Sequence, residues 1–129
     1  MKPKIMLIDD DIPTLEVMKY VLPRLGWDPI VVDNGQDALD LLEHERPAVI
    51  LLDIMMSPMN GWEFLDRLRD RRHLEGIPVI LFTAKHIWPE EYHRYADRVE
   101  RVLEKPVLPA ELKKALEKYG CAAEANPTA

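Results

Sequence analysis

Short apolar runs alternate with amphipathic segments along the length of this chain. Five of the runs have the length and the residue types of β-strands, at positions 4–8, 29–32, 48–52, 77–82 and 99–103. The third and fourth runs, AVILL and IPVILF, show no alternation with polar residues, which is typical of strands that are covered on both faces. The pattern therefore predicts a sheet that lies between two layers of helices.

The segments between these runs carry apolar residues at helical spacing. In the first segment the apolar positions recur every three or four residues, at Leu15, Met18, Leu22 and Leu25. Asp11 is suited to cap this helix, Pro13 lies in its first turn, where a missing N–H costs nothing, and Gly26 ends it. Further helices are predicted between the turn at 33–35 and Pro47, and over 62–73, 89–98 and 109–119.

Five strand-then-helix units of this length predict a doubly wound parallel β-sheet with helices on both faces, which is an α/β fold. The 129 residues are enough for one domain with one substantial core. In sheets of this kind the ligand crevice lies outside the carboxyl ends of the strands. The polar residues that follow the strands are therefore the candidates for a functional site.

The candidate charged and hydroxyl side chains follow the first, third, fourth and fifth predicted strands. They are Asp9, Asp10 and Asp11 after the first strand, Asp53 after the third, Thr83 after the fourth and Lys105 after the fifth. The topology would bring these four points to one rim of the sheet. Two like charges about 4 Å apart repel by roughly 4 kcal/mol at an effective dielectric constant near 20, so the clustered acids predict a neighbouring positive charge.

The residue types at this rim suit a cation and a phosphoryl group. Carboxylate oxygens without histidine or cysteine favour a hard divalent cation such as Mg²⁺. A lysine and a hydroxyl beside that cation can bind phosphoryl oxygens, and Asp53 can act as a nucleophile, because carboxylates form acyl phosphates. Each residue alone is more often structural, since Asp and Thr cap helices and Lys105-Pro106 could form a turn. The joint pattern favours phosphoryl transfer.

Composition and charge exclude several other classes of protein. The formal net charge is −6 and the basic residues are spread over the chain, which disfavours direct binding to nucleic acid. No apolar run approaches the roughly 20 residues that span a bilayer, and the first residues lack the features of a secretory signal, so we expect no membrane association and a cytoplasmic location. Cys121 is the only cysteine, which excludes an internal disulfide.

Five short motifs together resemble the receiver domain of two-component response regulators. The motifs are LIDDD at 7–11, LLDIMM at 51–56, MNGWEFL at 59–65, LFTA at 81–84 and LEKP at 103–106. The resemblance covers residues 3 to about 119. It implies a flavodoxin-like (βα)5 fold with strand order 2-1-3-4-5, a receiver domain over residues 1–119 and a disordered tail over 120–129.

The resemblance also implies the roles of the acidic residues. Asp53 would be the phosphoacceptor that takes a phosphoryl group from a phosphohistidine on a sensor histidine kinase or phosphotransfer protein. Asp10 and Asp53 would ligate Mg²⁺ directly, Asp9 would act mainly through a water molecule, and Met55 would offer its backbone carbonyl. Asp11 lies outside the required pair, and we expect it to cap the first helix.

Two further residues complete the implied phosphoryl site. Thr83 would bond a phosphoryl oxygen and shift toward it on activation, and Lys105 would pair with another oxygen. In this family the bond between the lysine and the following proline is commonly cis, so we expect a cis peptide at Pro106.

The sequence departs from the family pattern at several positions. Val102 stands where the family usually carries Tyr or Phe, and a valine cannot swing a ring, so we expect the switch at Thr83 to act through backbone movement of the last strand and helices. In the loop after Asp53, Ser57 precedes the proline, so that the proline comes one residue later than in the family. Met55 and Lys85 flank the path of the hydrolysing water in the family and predict a slow loss of phosphate.

Trp88 follows the switch hydroxyl and has two interpretations. The favoured one packs the indole under the fourth helix. The other makes it an anchor for a protein partner, because aromatic residues are enriched in interface hot spots.

The preferred function is a phosphorylation-dependent signalling switch that catalyses only its own phosphorylation and dephosphorylation. Its output would be an effector protein, or a homodimer through the fourth helix, fifth strand and fifth helix, because no residues remain for an output domain. A constitutive adaptor that signals without phosphorylation is the alternative that Val102 suggests. A small-molecule phosphatase is disfavoured because Met55 replaces the second acid, and a flavin protein because the first loop is acidic.

Overall fold

The strands and helices alternate along the chain as the apolar pattern predicts. The computed structural model of the protein describes residues 2–84 and 86–125. The strands are β1 Lys4–Ile8, β2 Asp28–Val32, β3 Val49–Leu52, β4 Val79–Thr83 and β5 Arg101–Glu104. The helices are α1 Ile12–Arg24, α2 Gly35–Leu42, α3 Gly61–Arg69, α4 Pro89–Tyr95 and α5 Pro109–Ala125, with single 3-10 turns at Arg72–Leu74 and Ala96–Arg98.

The five strands form one parallel sheet in the order β2-β1-β3-β4-β5, which confirms the predicted fold class and strand order. β1 is hydrogen-bonded on both sides, since Ile8 pairs with Val32 of β2 and with Leu52 of β3. The carboxyl ends of these strands therefore lie next to one another. Within the described residues, no helix combines the length and the apolar composition that crossing a bilayer requires.

Two hydrophobic clusters cover the two faces of the sheet, because successive strand side chains point to opposite sides. On one face, Met6 and Ile50 pack with side chains of α2, α3 and α4, among them Leu39, Phe64 and Tyr95. On the other face the cluster joins strand residues to α1 and α5, and includes Ile5, Leu7, Leu51, Leu15, Leu22, Leu112 and Leu116. The sheet is thus fixed between α1 and α5 on one side and α2, α3 and α4 on the other.

Side chains of the strand-to-helix loops cap three helices. Asp11 accepts a hydrogen bond from the N–H of Thr14 at 3.1 Å, which confirms its predicted role as the cap of α1. Asn34 caps α2 in the same way. Asn60 and Glu63 form a reciprocal capping box at the start of α3, in which each side chain accepts from the other residue's N–H. These caps fix where each helix begins relative to the carboxyl edge of the sheet.

Several element boundaries differ from the predicted ones. β4 begins at Val79 rather than at position 77, because Pro78 has no N–H to donate to a neighbouring strand. α3 ends at Arg69, and the residues after it form a separate 3-10 turn. α5 continues to Ala125, beyond the predicted end at Tyr119. The domain boundary at 119 and the disordered tail over 120–129 stay predictions, and residues 126–129 lie outside the described residues.

Candidate functional site

Three carboxylates meet at the carboxyl edge of the sheet. Asp9 and Asp10 follow β1 and Asp53 follows β3, and these strands are adjacent, so the acids come together although they are far apart in sequence. One oxygen from each of the three side chains lies within 4.8 Å of the others. Asp9 is fully buried and Asp53 is 5% exposed, whereas Asp10 is exposed to solvent. The predicted acidic cluster is therefore assembled, with one open side.

The ammonium group of Lys105 enters this cluster from the end of β5. Its Nζ donates a hydrogen bond to Asp9 Oδ2 and lies 3.4 Å from Asp53 Oδ2. The backbone N–H of Lys105 also donates to the carbonyl of Thr83 at 3.0 Å, which holds the base of the side chain beside β4. The Lys105–Pro106 peptide is cis, the isomer expected at this position, and the Ser57–Pro58 peptide is cis as well. Lys105 supplies the positive charge that the clustered acids predict.

Backbone N–H groups orient each of the three carboxylates. Asp11 N donates to Asp9 Oδ1 at 3.0 Å, and Met55 N donates to Asp53 Oδ1 at 3.1 Å. Asp10 Oδ2 accepts a longer bond of 3.3 Å from Ser57 N, which ties the loop between β3 and α3 to the end of β1. Because one oxygen of Asp9 and of Asp53 is held by the backbone, the other is turned toward Lys105.

The pKa of Asp9 is raised from 3.8 to about 6. Burial is the largest cause, and the charge of Asp53 acts in the same direction. The hydrogen bond from Lys105 and the N–H of Asp11 lower the pKa but do not cancel the effect of burial. Ionised Asp9 is therefore costly in this buried position, and a further positive charge beside it would lower that cost.

The donor set fits Mg²⁺. The cluster offers carboxylate oxygens alone, which are the hard ligands that Mg²⁺ prefers, and one of its acids is open to solvent. Asp10 and Asp53 could hold the ion, with Asp9 behind them. Met55, whose carbonyl was expected to contribute, is the second residue of the loop between β3 and α3, and its side chain is 59% exposed.

Thr83 and Val102 lie on the α4 side of the sheet. Thr83 is the last residue of β4 and is fully buried. It pairs with Glu104 of β5, while Val102 pairs with Leu81, so the two residues are offset by two pairs along the ladder. Val102 is 37% exposed and lines a groove of about 480 Å³ together with His86, Ile87, Pro89, Tyr92 and Glu104. The position that carries a ring in the family is therefore open here.

The start of α3 packs closely against the backbone of Asp53 and Ile54, where the loop over residues 54–60 begins. A Cβ at Gly61 would lie 2.7 Å from both the carbonyl oxygen of Asp53 and the Cα of Ile54, so only glycine fits there. The loop also borders a cavity of about 330 Å³ whose lining includes Asp10, Met55, Ser57 and Trp62.

The structure corrects one sequence interpretation and adds contacts that the sequence did not reveal. Trp88 is 60% exposed, so the favoured interpretation that it packs under the fourth helix is wrong. Lys85, for which a role in phosphate lifetime was predicted, lies outside the described residues. The bond from Ser57 N to Asp10 was not predicted, because only the folded loop brings these residues together. Trp62 was not singled out either, although its position in the first turn of the helix that follows this loop could have marked it as a residue near the site.

Comparisons with known proteins agree with this geometry. A profile of the family described as "Response regulator receiver domain" matches residues 5–117. Response regulator Rre1 of Synechocystis sp. is 30% identical to the chain over 109 residues, which are 84% of this chain and 47% of that regulator. The chain therefore spans about half the length of this curated relative.

Two solved structures are similar to the protein. The N-terminal domain of a response regulator receiver protein from Methanoculleus marisnigri JR1 has 36% sequence identity and a TM-score of 0.76, and the match covers 90% of this chain and 94% of that one. The receiver domain of sensor histidine kinase PA1611 from Pseudomonas aeruginosa PAO1, which has a magnesium ion coordinated in its active site cleft, has 24% identity and a TM-score of 0.82. That match covers 92% of this chain and 98% of that one.

Proposed function

Because this chain belongs to the response regulator receiver domain family, we propose that it accepts a phosphoryl group on Asp53 from a phosphohistidine of a sensor histidine kinase or phosphotransfer protein. The observation that carries the proposal is the position of Lys105, whose Nζ reaches both Asp9 and Asp53 from the end of another strand. An ammonium group so placed can pair with a phosphoryl oxygen as soon as one is present on Asp53.

Asp53 is suited to be the nucleophile because its carboxylate is nearly buried and its orientation is fixed. One oxygen accepts from Met55 N and the other faces Lys105. In the proposed step an oxygen of Asp53 forms a bond to phosphorus while the bond from phosphorus to the donor's imidazole nitrogen breaks, and the imidazole leaves with the electron pair. The product is an aspartyl phosphate.

Asp9, Asp10 and Asp53 would hold Mg²⁺, which when bound neutralises the acids and the incoming phosphoryl oxygens. Support comes from the three carboxylate oxygens that lie within 4.8 Å of one another and from the magnesium ion in the receiver domain of PA1611. Lys105 then exchanges its pairing with the acids for pairing with a phosphoryl oxygen, and the hydroxyl of Thr83 donates to another.

Phosphorylation would change which proteins the receiver binds, and this is its output. Thr83 lies at the end of β4, directly before the segment that leads into α4, so a shift of Thr83 toward the phosphoryl group acts on that segment. The surface formed by α4, β5 and α5 is the proposed contact for an effector protein or for a second copy of the chain. We expect this to take place in the cytoplasm, without direct contact to nucleic acid or membrane.

A constitutive adaptor is the second candidate function, and the open groove beside Val102 favours it. Since no ring at position 102 closes the groove, a partner could bind there in either phosphorylation state. Hydrogen exchange of α4 and β5, measured with and without phosphorylation, separates the two functions. The adaptor predicts no difference between the states, and the switch predicts one.

Intact-mass measurement after incubation with acetyl phosphate and Mg²⁺ tests the main proposal. We expect the wild type to gain the mass of one phosphoryl group and Asp53→Asn to gain none. Asp33→Asn is the matched control, because Asp33 follows β2 at the same edge of the sheet but lies outside the cluster, and it should be modified like the wild type. A modification that persists in Asp53→Asn would overturn the assignment of the acceptor.

A further inference from the structure

An aromatic stack and a hydrogen bond join α4 to the first turn of α3. The rings of Trp62 and Tyr95 are stacked, with centroids 4.5 Å apart and planes at 20°. The indole Nε1 of Trp62 donates to Glu91 Oε2 at 2.9 Å. Glu91 is in turn placed at the start of α4, where its other oxygen accepts from Trp88 N at 3.4 Å. Trp62 thus contacts both turns of this short helix.

Further along the same interface, Asp66 of α3 binds two residues of the α4 region. The hydroxyl of Tyr95 donates to Asp66 Oδ2 at 3.2 Å, and Arg98 Nη1 donates to Asp66 Oδ1 at 3.2 Å. Arg98 also donates to the carbonyl of Leu65 at 3.3 Å and lies 4.6 Å from the centre of the Tyr95 ring. The interface between the α4 region and α3 therefore combines an aromatic stack with several hydrogen bonds along its length.

A second side of α4, which carries Pro89 and Tyr92, borders the groove beside Val102. That groove has about 480 Å³ of space between Tyr92 of α4 and the side chains of Val102 and Glu104. Val102 places no aromatic ring on the β5 side of this groove. Because α4 is held on its α3 side and open on its β5 side, its position depends on the residues of α3 that contact it.

Trp62 also belongs to the surroundings of the acidic cluster. It lines the cavity of about 330 Å³ beside Asp10, Met55 and Ser57, where the loop between β3 and α3 passes the site. Ser57 in that loop is bonded to Asp10. One side chain therefore lines the same cavity as the loop beside the acidic cluster and contacts a helix of the proposed output surface.

We propose that Trp62 is the positioning residue that couples the state of the site to α4. When a phosphoryl group on Asp53 rearranges the loop over residues 54–60, the packing of the Trp62 ring changes with it. The stack on Tyr95 and the bond to Glu91 transfer this change to α4, through α3 rather than through a ring at position 102. This proposal rests on the proposed phosphorylation of Asp53.

Hydrogen exchange of peptides that cover residues 89–98, with and without acetyl phosphate and Mg²⁺, tests the coupling. The extent of phosphorylation is measured by intact mass in the same samples. We expect the phosphorylation-dependent change in α4 exchange to shrink at least about twofold in Trp62→Leu, which lacks both the stack and the donor, at an unchanged extent of phosphorylation. Trp62→Phe, which keeps a ring for the stack, should show a smaller loss.

Glu91 and Trp88 supply the matched variants. Glu91→Gln keeps an acceptor for the indole N–H and should retain the change in α4 exchange. Glu91→Leu has no acceptor and should lose as much of that change as Trp62→Phe does. Trp88→Leu removes an exposed indole at the start of the same helix and should respond like the wild type. These variants give a result even if Trp62→Leu does not fold.

The possible outcomes separate the two proposals. A phosphorylated Trp62→Leu or Glu91→Leu protein with a response of wild-type size overturns the coupling and leaves the acceptor assignment intact. A wild-type protein that is phosphorylated but shows no change in α4 also overturns the coupling. Absence of any mass increase in the wild type overturns the proposed function, and the coupling with it.

Discussion

The Nζ of Lys105 binds the buried carboxylate of Asp9, so the end of the edge strand β5 is joined to the end of the interior strand β1. The side chain of Lys105 is 17% exposed and that of Asp9 is fully buried, which distinguishes this pair from the exposed ion pairs elsewhere on the surface. Removing one partner of such a buried pair strongly lowers the stability of the folded protein, because the charge of the other partner loses its compensation.

Lys105→Met should destabilise the metal-free protein by roughly 3 kcal/mol at pH 7, because two buried carboxylates lose their counter-charge. Mg²⁺ should restore part of this loss, since a divalent cation neutralises the same acids. Urea unfolding with EDTA and with Mg²⁺ measures both effects. Lys19→Met is the control, because Lys19 forms an exposed pair with Glu16 on α1 and should change stability by less than about 0.5 kcal/mol. Equal stability of Lys105→Met and the wild type would contradict the prediction.

Asp9 gives the metal-free protein a characteristic pH dependence. Its pKa is 3.8 in the unfolded reference and about 6 in the folded protein, so between these values the folded state binds more protons than the unfolded state. The contribution of Asp9 to the free energy of unfolding therefore decreases as the pH rises from about 4 to above 6.

Asp9→Asn should abolish this contribution and be more stable than the wild type at pH 7, by about 1 to 3 kcal/mol. At pH 4 the two proteins should differ little. Denaturant unfolding at a series of pH values in EDTA measures the difference, with Asp33→Asn as the exposed control. If the stability of Asp9→Asn and of the wild type changes with pH in the same way, ionisation of Asp9 costs no free energy in the folded state, which would contradict the prediction.

Mg²⁺ should stabilise the wild type by an amount that grows with its concentration, about 2.7 kcal/mol at one hundred times the Kd. Asp10→Asn and Asp53→Asn each remove one carboxylate of the cluster and should lose most of this stabilisation. Asp33→Asn should keep it. Thermal unfolding over a magnesium titration reads out the effect, and a response of wild-type size in Asp53→Asn would mean that the ion binds elsewhere.

Gly61→Ala should destabilise the fold and slow phosphorylation of Asp53. The new Cβ would lie 2.7 Å from two backbone atoms, the carbonyl oxygen of Asp53 and the Cα of Ile54, which can give way only if the acceptor loop moves. We expect a loss of about 1 to 3 kcal/mol in urea unfolding, which is the usual cost of overpacking.

Gly35→Ala is the matched control for this substitution. Gly35 is also the first residue of a helix behind an Asn cap, but its added Cβ meets the flexible end of the Met59 side chain at 2.6 Å. Since that side chain can move aside, Gly35→Ala should cost less than Gly61→Ala and leave the rate of phosphorylation unchanged. A larger effect at position 35 would contradict the steric argument.

The residues of the site could be predicted from the sequence because the alternating pattern predicts a parallel sheet, while the strand order came from the family resemblance. Once β1 and β3 are recognised as strands of one parallel sheet, Asp9 and Asp53 must lie at the same edge. The apolar pattern also gives β1 its observed bounds. The roles of these residues in phosphoryl transfer stay predictions.

Features that depend on how helices pack could not be read from the sequence. Leu41 fits the helical pattern but is exposed, while Leu39 is buried, because the orientation of α2 on the sheet decides between them. The bond from Trp62 to Glu91 joins residues that are 29 positions apart, on two helices whose contact no local pattern specifies. The exposed position of Trp88 depends in the same way on where α4 begins.

The order of the strands has a consequence for how such a protein can diversify. The acids of the cluster directly follow β1 and β3, which have neighbours on both sides, whereas Val102 and Glu104 lie on β5, at the margin of the sheet. Substitutions at these two positions would change the surface that a partner meets, while the strands that carry the acids would keep their neighbours. Related proteins can therefore evolve to bind different partners while the acidic cluster stays the same.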